Sequence, residues 1–187
     1  MQLFIDLETT GLAPKSGKDY VSYTDTTQYS NCKIIQICMR LYSGNKLIDE
    51  MYRYVDPQIP IPQVVSKMTG ITQSQVLNKK LTKGPIKKIK ILVEKSDIII
   101  GHNIDFDITV LCAELFALGE KDLAKYVFEK KRFCTMKNSS KLQLGGKYLK
   151  LETMYNMFYK ENLGKSHDAK TDVLMCKKIY DVYKLKE

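Results

Sequence analysis

The sequence predicts an α/β domain in which a mixed sheet is covered by helices. Two patterns predict it. An apolar run at 3–8, an alternating stretch over 33–55 and a run of isoleucines at 98–100 read as strands, and apolar stripes of helical period fall between and after them. The order is strand, hairpin, helices, strand, helix, strand, helices. A third observation sets the domain count. The 187 residues contain no internal repeat, no low-complexity linker and no shift of composition, so 1–187 reads as a single domain. A chain of that length can bury a full core without disulfides or a structural metal.

Each element has its own signal. Leu3-Phe4-Ile5-Asp6-Leu7-Glu8 turns from an apolar run into alternation, a strand that stops at Thr9-Thr10-Gly11. Residues 13–32 are polar and without period, and read as a long loop inserted beside the end of that strand. Over 33–42, Ile35, Ile37, Met39 and Leu41 fall on one side. Ser43-Gly44-Asn45 signals a turn, and 47–55 gives the return strand of a hairpin. Pro57, Pro60 and Pro62 break the pattern. Short helices are predicted at 63–69 and 73–80, and a longer one from Pro85, with Ile86, Ile89, Leu92 and Val93 on one face. The buried strand at 97–101 ends at His102-Asn103 and leads into a helix over 104–118, closed by Gly119. A strand at 132–136, helical stretches near 137–143 and 149–159, and a last helix over 168–184 complete the chain. The first three strands can be antiparallel neighbours. The strand at 97–101 can lie parallel to the first after a helical crossover.

Composition narrows the class. With 44% hydrophobic and 27% charged residues, the chain is neither disordered nor fibrous. No apolar stretch approaches the roughly 18 residues a membrane span needs. The N-terminus lacks the charged and apolar regions of a secretory signal, so no membrane partner and a cytoplasmic or nuclear location are expected. Thirty Lys and Arg against 21 Asp and Glu leave +9, which favours a polyanionic partner such as nucleic acid, with plain solubility as the competing explanation. Five cysteines, an odd number without a C-x-x-C spacing, read as buried thiols in a reducing compartment and argue against zinc.

The chemistry-bearing signal is carboxylates where a core belongs. Asp6 and Glu8 are two apart on a strand and point to one face. A strand fraying into solvent would explain the pair taken alone. Asp107 shares the helical stripe of Ile104, Leu111, Leu115 and Leu118, and Asp172 shares that of Ala169, Val173, Cys176, Ile179 and Tyr183. A buried carboxylate is costly unless paired or metal-bound. Four that converge suit Mg²⁺ or Mn²⁺. His167, five residues before Asp172, is placed on the loop ahead of the last helix. There it suits a general base for water, or else is a surface histidine beside Lys165. Asp105 reads as a charge at a helix N-terminus, and His102 as structural.

Phe4-Ile5-Asp6-Leu7-Glu8-Thr9-Thr10-Gly11-Leu12, His102-Asn103-Ile104-Asp105-Phe106-Asp107 and His167-Asp168-Ala169-Lys170-Thr171-Asp172 together resemble the three motifs of the DEDDh (DnaQ-like) 3′→5′ exonucleases, the family of the proofreading epsilon subunit of bacterial DNA polymerase III. The similarity runs from residue 2 to about 184. It implies an RNase H-like fold, a five-stranded mixed sheet with three antiparallel strands, then two parallel to the first, flanked by helices. It also implies two divalent cations, Mg²⁺ with Mn²⁺ able to substitute. Asp6, Glu8 and Asp172 would hold the first ion, Asp6 would bridge to the second with Asp107, and His167 would take the proton of the attacking water. Thr9, Gly11, Leu12, Asn103 and Phe106 would contact the terminal nucleotide, with Gly11 giving close backbone approach. The implied partner is nucleic acid with a free 3′ end, and the products are nucleoside 5′-monophosphates.

Three features depart from the family pattern. The 13–32 segment is longer than the family's and carries Lys15, Lys18, Tyr20, Tyr23 and Tyr29; it either grips a single strand, bars a duplex, or is a mobile solvated loop. Gln36 stands where the family often has Glu, and Met68-Thr69 replace a common Val-His. No polymerase-binding tail follows the last predicted helix, which weighs against, without removing, association with a polymerase; monomer and dimer stay open. The expected activity is on single-stranded DNA or unpaired 3′ ends. A 3′→5′ exoribonuclease, a non-catalytic nucleic-acid-binding module and a protein-interaction domain are the alternatives.

Overall fold

A five-stranded sheet forms the centre of the protein in the computed structural model, in which residues 1–139, 148–161, 163 and 167–185 are described. The strands are β1 (Gln2–Thr9), β2 (Lys15–Ser16), β3 (Asp19–Tyr20), β4 (Ile34–Ser43), β5 (Lys46–Tyr54), β6 (Ile98–Gly101) and β7 (Arg132–Cys134). The helices are α1 (Gln63–Thr69), α2 (Gln73–Val76), α3 (Lys83–Lys95), α4 (Ile104–Ala117), α5 (Lys121–Glu129), α6 (Leu151–Phe158) and α7 (Ala169–Leu185). The sheet order is β5-β4-β1-β6-β7. β1, β4 and β5 are successively antiparallel, and β6 and β7 run parallel to β1, as the sequence predicts.

The central strand sorts its residues by face. Leu3, Ile5 and Leu7 pack into the larger core beneath α3 and α4, whereas Phe4 joins Cys38, Ile100, Val173 and Cys176 beneath α7. Asp6 and Glu8 continue the Phe4 face, so β1 carries two carboxylates toward the start of α7. β6 is short. Its pairing with β1 ends at Phe4↔Ile100, leaving the last residues of β1 without a neighbouring strand on that side.

Several predicted elements need correction. Between Gly119 and the strand at 132, where the sequence reading places no element, lies α5, whose buried Leu123, Ala124 and Val127 sit among lysines and acids that dilute the apolar signal. The helix predicted over 73–80 ends at Val76, because Leu77 is extended and Asn78 is left-handed at φ 63°. The strand predicted over 132–136 stops at Cys134. Near 137–143, residues 140–143 lie outside the described residues and 137–138 form a turn. Leu118 is 42% exposed, just beyond the end of α4.

The 13–32 segment is not the featureless loop the sequence predicts. β2 and β3 form a small hairpin around Gly17, which sits at φ 66° where a side chain would be strained. A short 3₁₀ turn follows at Thr26–Tyr29. Tyr29 is 1% exposed within the main core, and its hydroxyl donates to the Val21 carbonyl. Tyr23 packs its ring on Phe116 and Phe128, with centroids 6.0 and 4.9 Å away. With α5, the segment covers the outer side of α4, which is why that helix is buried on more than one face. Its base is stitched to β1. The Thr10 amide donates to the Lys33 carbonyl at 2.8 Å, and the Thr10 hydroxyl donates to the Asn31 carbonyl at 2.9 Å.

Tyr29→Ala is therefore expected to lower unfolding stability by about 3–5 kcal/mol and Tyr29→Phe by about 1 kcal/mol. Urea denaturation midpoints test this; an unchanged midpoint in Tyr29→Ala would mean that the segment contributes nothing to the fold.

Candidate active site

The acidic residues reach one place by three different routes. Asp6 and Glu8 project from β1 toward α7. Asp107 comes from the first turns of α4 on the opposite side, and its Oδ1 accepts the Leu7 amide at 3.0 Å. That amide lies beyond the end of β6, so the Asp107 carboxylate accepts the hydrogen bond a longer strand would have accepted. Asp172 comes from the first turn of α7, and its Oδ2 accepts the His167 amide at 3.1 Å. Ligand atoms of Glu8, His167 and Asp172 all lie within 4.8 Å of one another. Asp6 faces Asp107, Asp172, Glu8 and Asp168 closely enough for each to disfavour its charge.

Burial and mutual repulsion dominate the electrostatics. Burial, followed by Asp172 and Asp168, pushes the Glu8 carboxyl up to about 8. Burial likewise lifts Asp172 to about 6, against the lowering effect of the His167 amide. Asp6 and Asp107 are held well above the ordinary carboxylate range, first by burial and then by their acidic neighbours, with the Leu7 amide opposing this at Asp107. Among the described residues no ion pair reaches any of the four. Asp172 Oδ1 is buried and has no hydrogen-bond partner among the described residues. An oxygen-rich donor set with an orphaned buried carboxylate oxygen fits a hard divalent cation.

A second set of residues fixes the start of α7; the sequence reading singles out Gln36 as a departure from the family, but not the roles of Asp168 and Tyr52. Asp168 Oδ1 accepts the amides of Lys170 and Thr171, each at 3.1 Å, and so caps the helix. Its Oδ2 accepts from Tyr52 at 2.9 Å and from Gln36 Nε2 at 3.2 Å, while Gln36 Oε1 accepts the Ala169 amide at 2.8 Å. A glutamate at position 36 could accept from Ala169 but could not donate to Asp168. The glutamine departure is thus explained by its need to do both. An aspartate directly before a helical stripe is the N-cap signal that could have revealed Asp168.

The nucleotide-contact candidates divide. Thr9 and Gly11 form the turn at the end of β1, where the Thr9 hydroxyl donates to the Gly11 carbonyl at 2.7 Å. Gly11 has an internal reason to lack a side chain, since a Cβ would lie 2.8 Å from the Asn31 carbonyl oxygen. Leu12 is 89% exposed. Asn103 takes the left-handed conformation at φ 66° and donates from Nδ2 to the Tyr20 hydroxyl at 3.4 Å, and Phe106 packs edge-on against Tyr20 at 6.2 Å. His102 is occupied by protein. Nε2 meets the Leu149 carbonyl and Nδ1 the Thr135 hydroxyl, both at 2.9 Å, and burial pulls its pKa down to about 4. Asp105 pairs with Arg132 and Lys137. The five cysteines are free and buried, and no helix among the described residues is long and apolar enough to cross a membrane.

This strand order, with carboxylates gathered at the end of its central strand, defines an RNase H-like exonuclease fold. Escherichia coli Exonuclease I in complex with a dT13 oligonucleotide superposes with a TM-score of 0.71 over 98% of this chain and 40% of that one, at 17% identity, a likeness of fold. The sequence matches the family described as Exonuclease (RNase T) over residues 3–180, and the chain belongs to that family. It is 30% identical over 109 residues to the DNA polymerase III PolC-type of Caldanaerobacter subterraneus subsp. tengcongensis, covering 57% of this chain and 8% of that protein. It is 28% identical over 115 residues to the 3′-5′ exonuclease DinG of Bacillus subtilis, covering 62% and 11%. The chain thus matches only about a tenth of the length of these curated relatives. The DnaQ-like resemblance drawn from the three motifs is borne out.

The raised carboxyls fix a sign. A group whose folded pKa exceeds its unfolded value contributes stability below about pH 4, and that contribution is lost as pH rises through the folded value. For Asp172 and Glu8 those folded values are about 6 and about 8. Metal-free protein should therefore lose melting temperature from pH 5 to pH 8.5, less steeply in Glu8→Gln. Mn²⁺ should restore it at pH 8.5 and do little at pH 5. Calorimetric melting curves with and without the ion check this, and identical pH slopes for wild type and Glu8→Gln would contradict it.

Proposed function

We propose that the protein is a metal-dependent 3′→5′ exonuclease that removes nucleoside 5′-monophosphates from single-stranded DNA or unpaired 3′ ends. The observation that carries this reading is the buried Asp172 Oδ1, without a hydrogen-bond partner among the described residues, beside Glu8 and His167 and within a group of carboxyls whose charge is disfavoured by burial and by acidic neighbours. Family membership, the name of the DinG relative and the oligonucleotide held by Exonuclease I support it.

Asp6, Glu8 and Asp172 would hold one divalent cation, and Asp6 with Asp107 a second. Bound cations supply Lewis acidity at the scissile phosphodiester and offset its negative charge. His167, exposed at a left-handed position ahead of α7, accepts the proton of the attacking water. The water oxygen bonds to phosphorus, the bond from phosphorus to the 3′ oxygen of the preceding nucleotide breaks, and the leaving oxygen takes a proton. The products are a 5′-monophosphate and a strand shortened by one residue with a new 3′-hydroxyl. Thr9, Gly11 and Leu12 at the end of β1, with Asn103 and Phe106 at the start of α4, flank the terminal nucleotide. Gln36, Tyr52 and Asp168 hold His167 and Asp172 in register with β1.

On a 5′-labelled single-stranded oligonucleotide, cleavage should require Mg²⁺ or Mn²⁺ and stop in EDTA. A 3′-phosphate should inhibit it. Sustained cleavage in chelator, or no cleavage of DNA with matched RNA degraded, would overturn the metal or the DNA assignment respectively. Asp6→Ala and Asp172→Ala should each reduce turnover by about 10³-fold or more, and His167→Ala by about 10²–10⁴-fold with substrate binding retained. Binding without hydrolysis by wild type under all these conditions would return the non-catalytic reading.

A further inference from the structure

Beside the first turn of α4, a cleft of about 750 Å³ opens between the 15–23 segment and an edge formed by Arg132, Met136, Lys137 and Tyr148. That volume suits a nucleotide-sized ligand. Its charges are unequal. Lys15, Lys18, Arg132 and Lys137 line it against two carboxylates, Asp19 and Asp105, and Arg132 and Lys137 both lean on Asp105 alone. Neither Lys15 nor Lys18 takes part in an ion pair among the described residues, and Lys15 lies over the Tyr20 ring, 5.1 Å from its centroid. Rings alternate with these cations. Tyr20, Tyr23, Phe128 and Tyr148 all line the space, and Tyr148 is 66% exposed.

The cleft is preformed and meets the proposed nucleotide contacts at Asn103, while its other lining residues lie outside the acidic cluster. Tyr29 and Tyr23 anchor the 15–23 segment to the core. Asn103 lines the cleft and precedes the same helical turn that carries Asp107, and its amide donates to the Tyr20 hydroxyl. Cations interleaved with rings, Tyr148 exposed and Tyr20 half-buried at the rim, match a polyanion with stackable bases, which is single-stranded nucleic acid.

We propose that this cleft binds the substrate strand upstream of its scissile 3′ end, with Lys15 and Lys18 meeting phosphates and the cleft's tyrosines meeting bases. The inference rests on the exonuclease reading, and the test separates the two. A Lys15→Glu/Lys18→Glu double variant changes only exposed side chains. Fluorescence anisotropy of a labelled dT12 in EDTA should show binding weakened about tenfold or more, and the dependence of log K on log salt should flatten by about one unit for two lost phosphate contacts. The same variant should hydrolyse the p-nitrophenyl ester of thymidine 5′-monophosphate, too small to reach the cleft, within about twofold of wild type. Unchanged dT12 affinity and salt slope would overturn the cleft assignment, whatever the ester assay gives. Failure of wild type to hydrolyse ester and oligonucleotide alike would overturn the exonuclease reading, and the dT12 affinities would then decide the cleft by themselves.

Discussion

Like charges crowded at the end of one strand are the constraint on which this structure depends. Asp6 and Glu8 leave β1 on the face covered by α7, Asp107 reaches the same point past the short β6, and Asp172 closes it from above. Burial raises all four, and acidic neighbours add to it: Asp107, Asp172 and Glu8 at Asp6, Glu8 and Asp172 at Asp107, and Asp172 at Glu8. A stable fold that concentrates unfavourable charge in this way has given up stability at one spot, and a cation of high charge density, as in the proposed function, would recover it.

The surrounding hydrogen bonds show how the arrangement is held. Leu7 and His167 donate backbone amides to Asp107 and Asp172, so each carboxylate is oriented by main chain, not by a counter-charge. Side chains that donate and accept at once do the rest. Gln36 and Tyr52 grip Asp168, Asp168 caps α7, and His167 lies directly ahead of that cap. Rigid elements thus carry the acids, while the imidazole sits on a short exposed segment tied down at its backbone. In the proposed function, that division suits a group that would exchange a proton with solvent beside groups that would hold an ion in place.

The 13–32 segment extends the same logic outward. Its aromatic residues bury the outer side of α4, and its lysines remain at the rim. Packing against α4 and α5 fixes those charges relative to the acidic centre, which a tethered loop could not do.

Local pattern in the sequence determined the strands, the hairpin and the misplaced carboxylates, because period-2 and period-3.6 stripes expose a carboxylate that interrupts an apolar face; the five-strand arrangement and the choice of His167 followed from the resemblance to the DnaQ-like exonucleases. The sequence did not announce α5, whose three buried residues are surrounded by charge, nor the packing of 13–32, whose anchors Tyr23 and Tyr29 find partners far along the chain. Only tertiary structure decided that Gly11 answers to the Asn31 carbonyl, that Asp168 and Gln36 work as a pair, and that one oxygen of Asp172 is left without a partner among the described residues. Periodicity tells which face a side chain occupies; what it meets there depends on segments brought together by the chain's long-range packing.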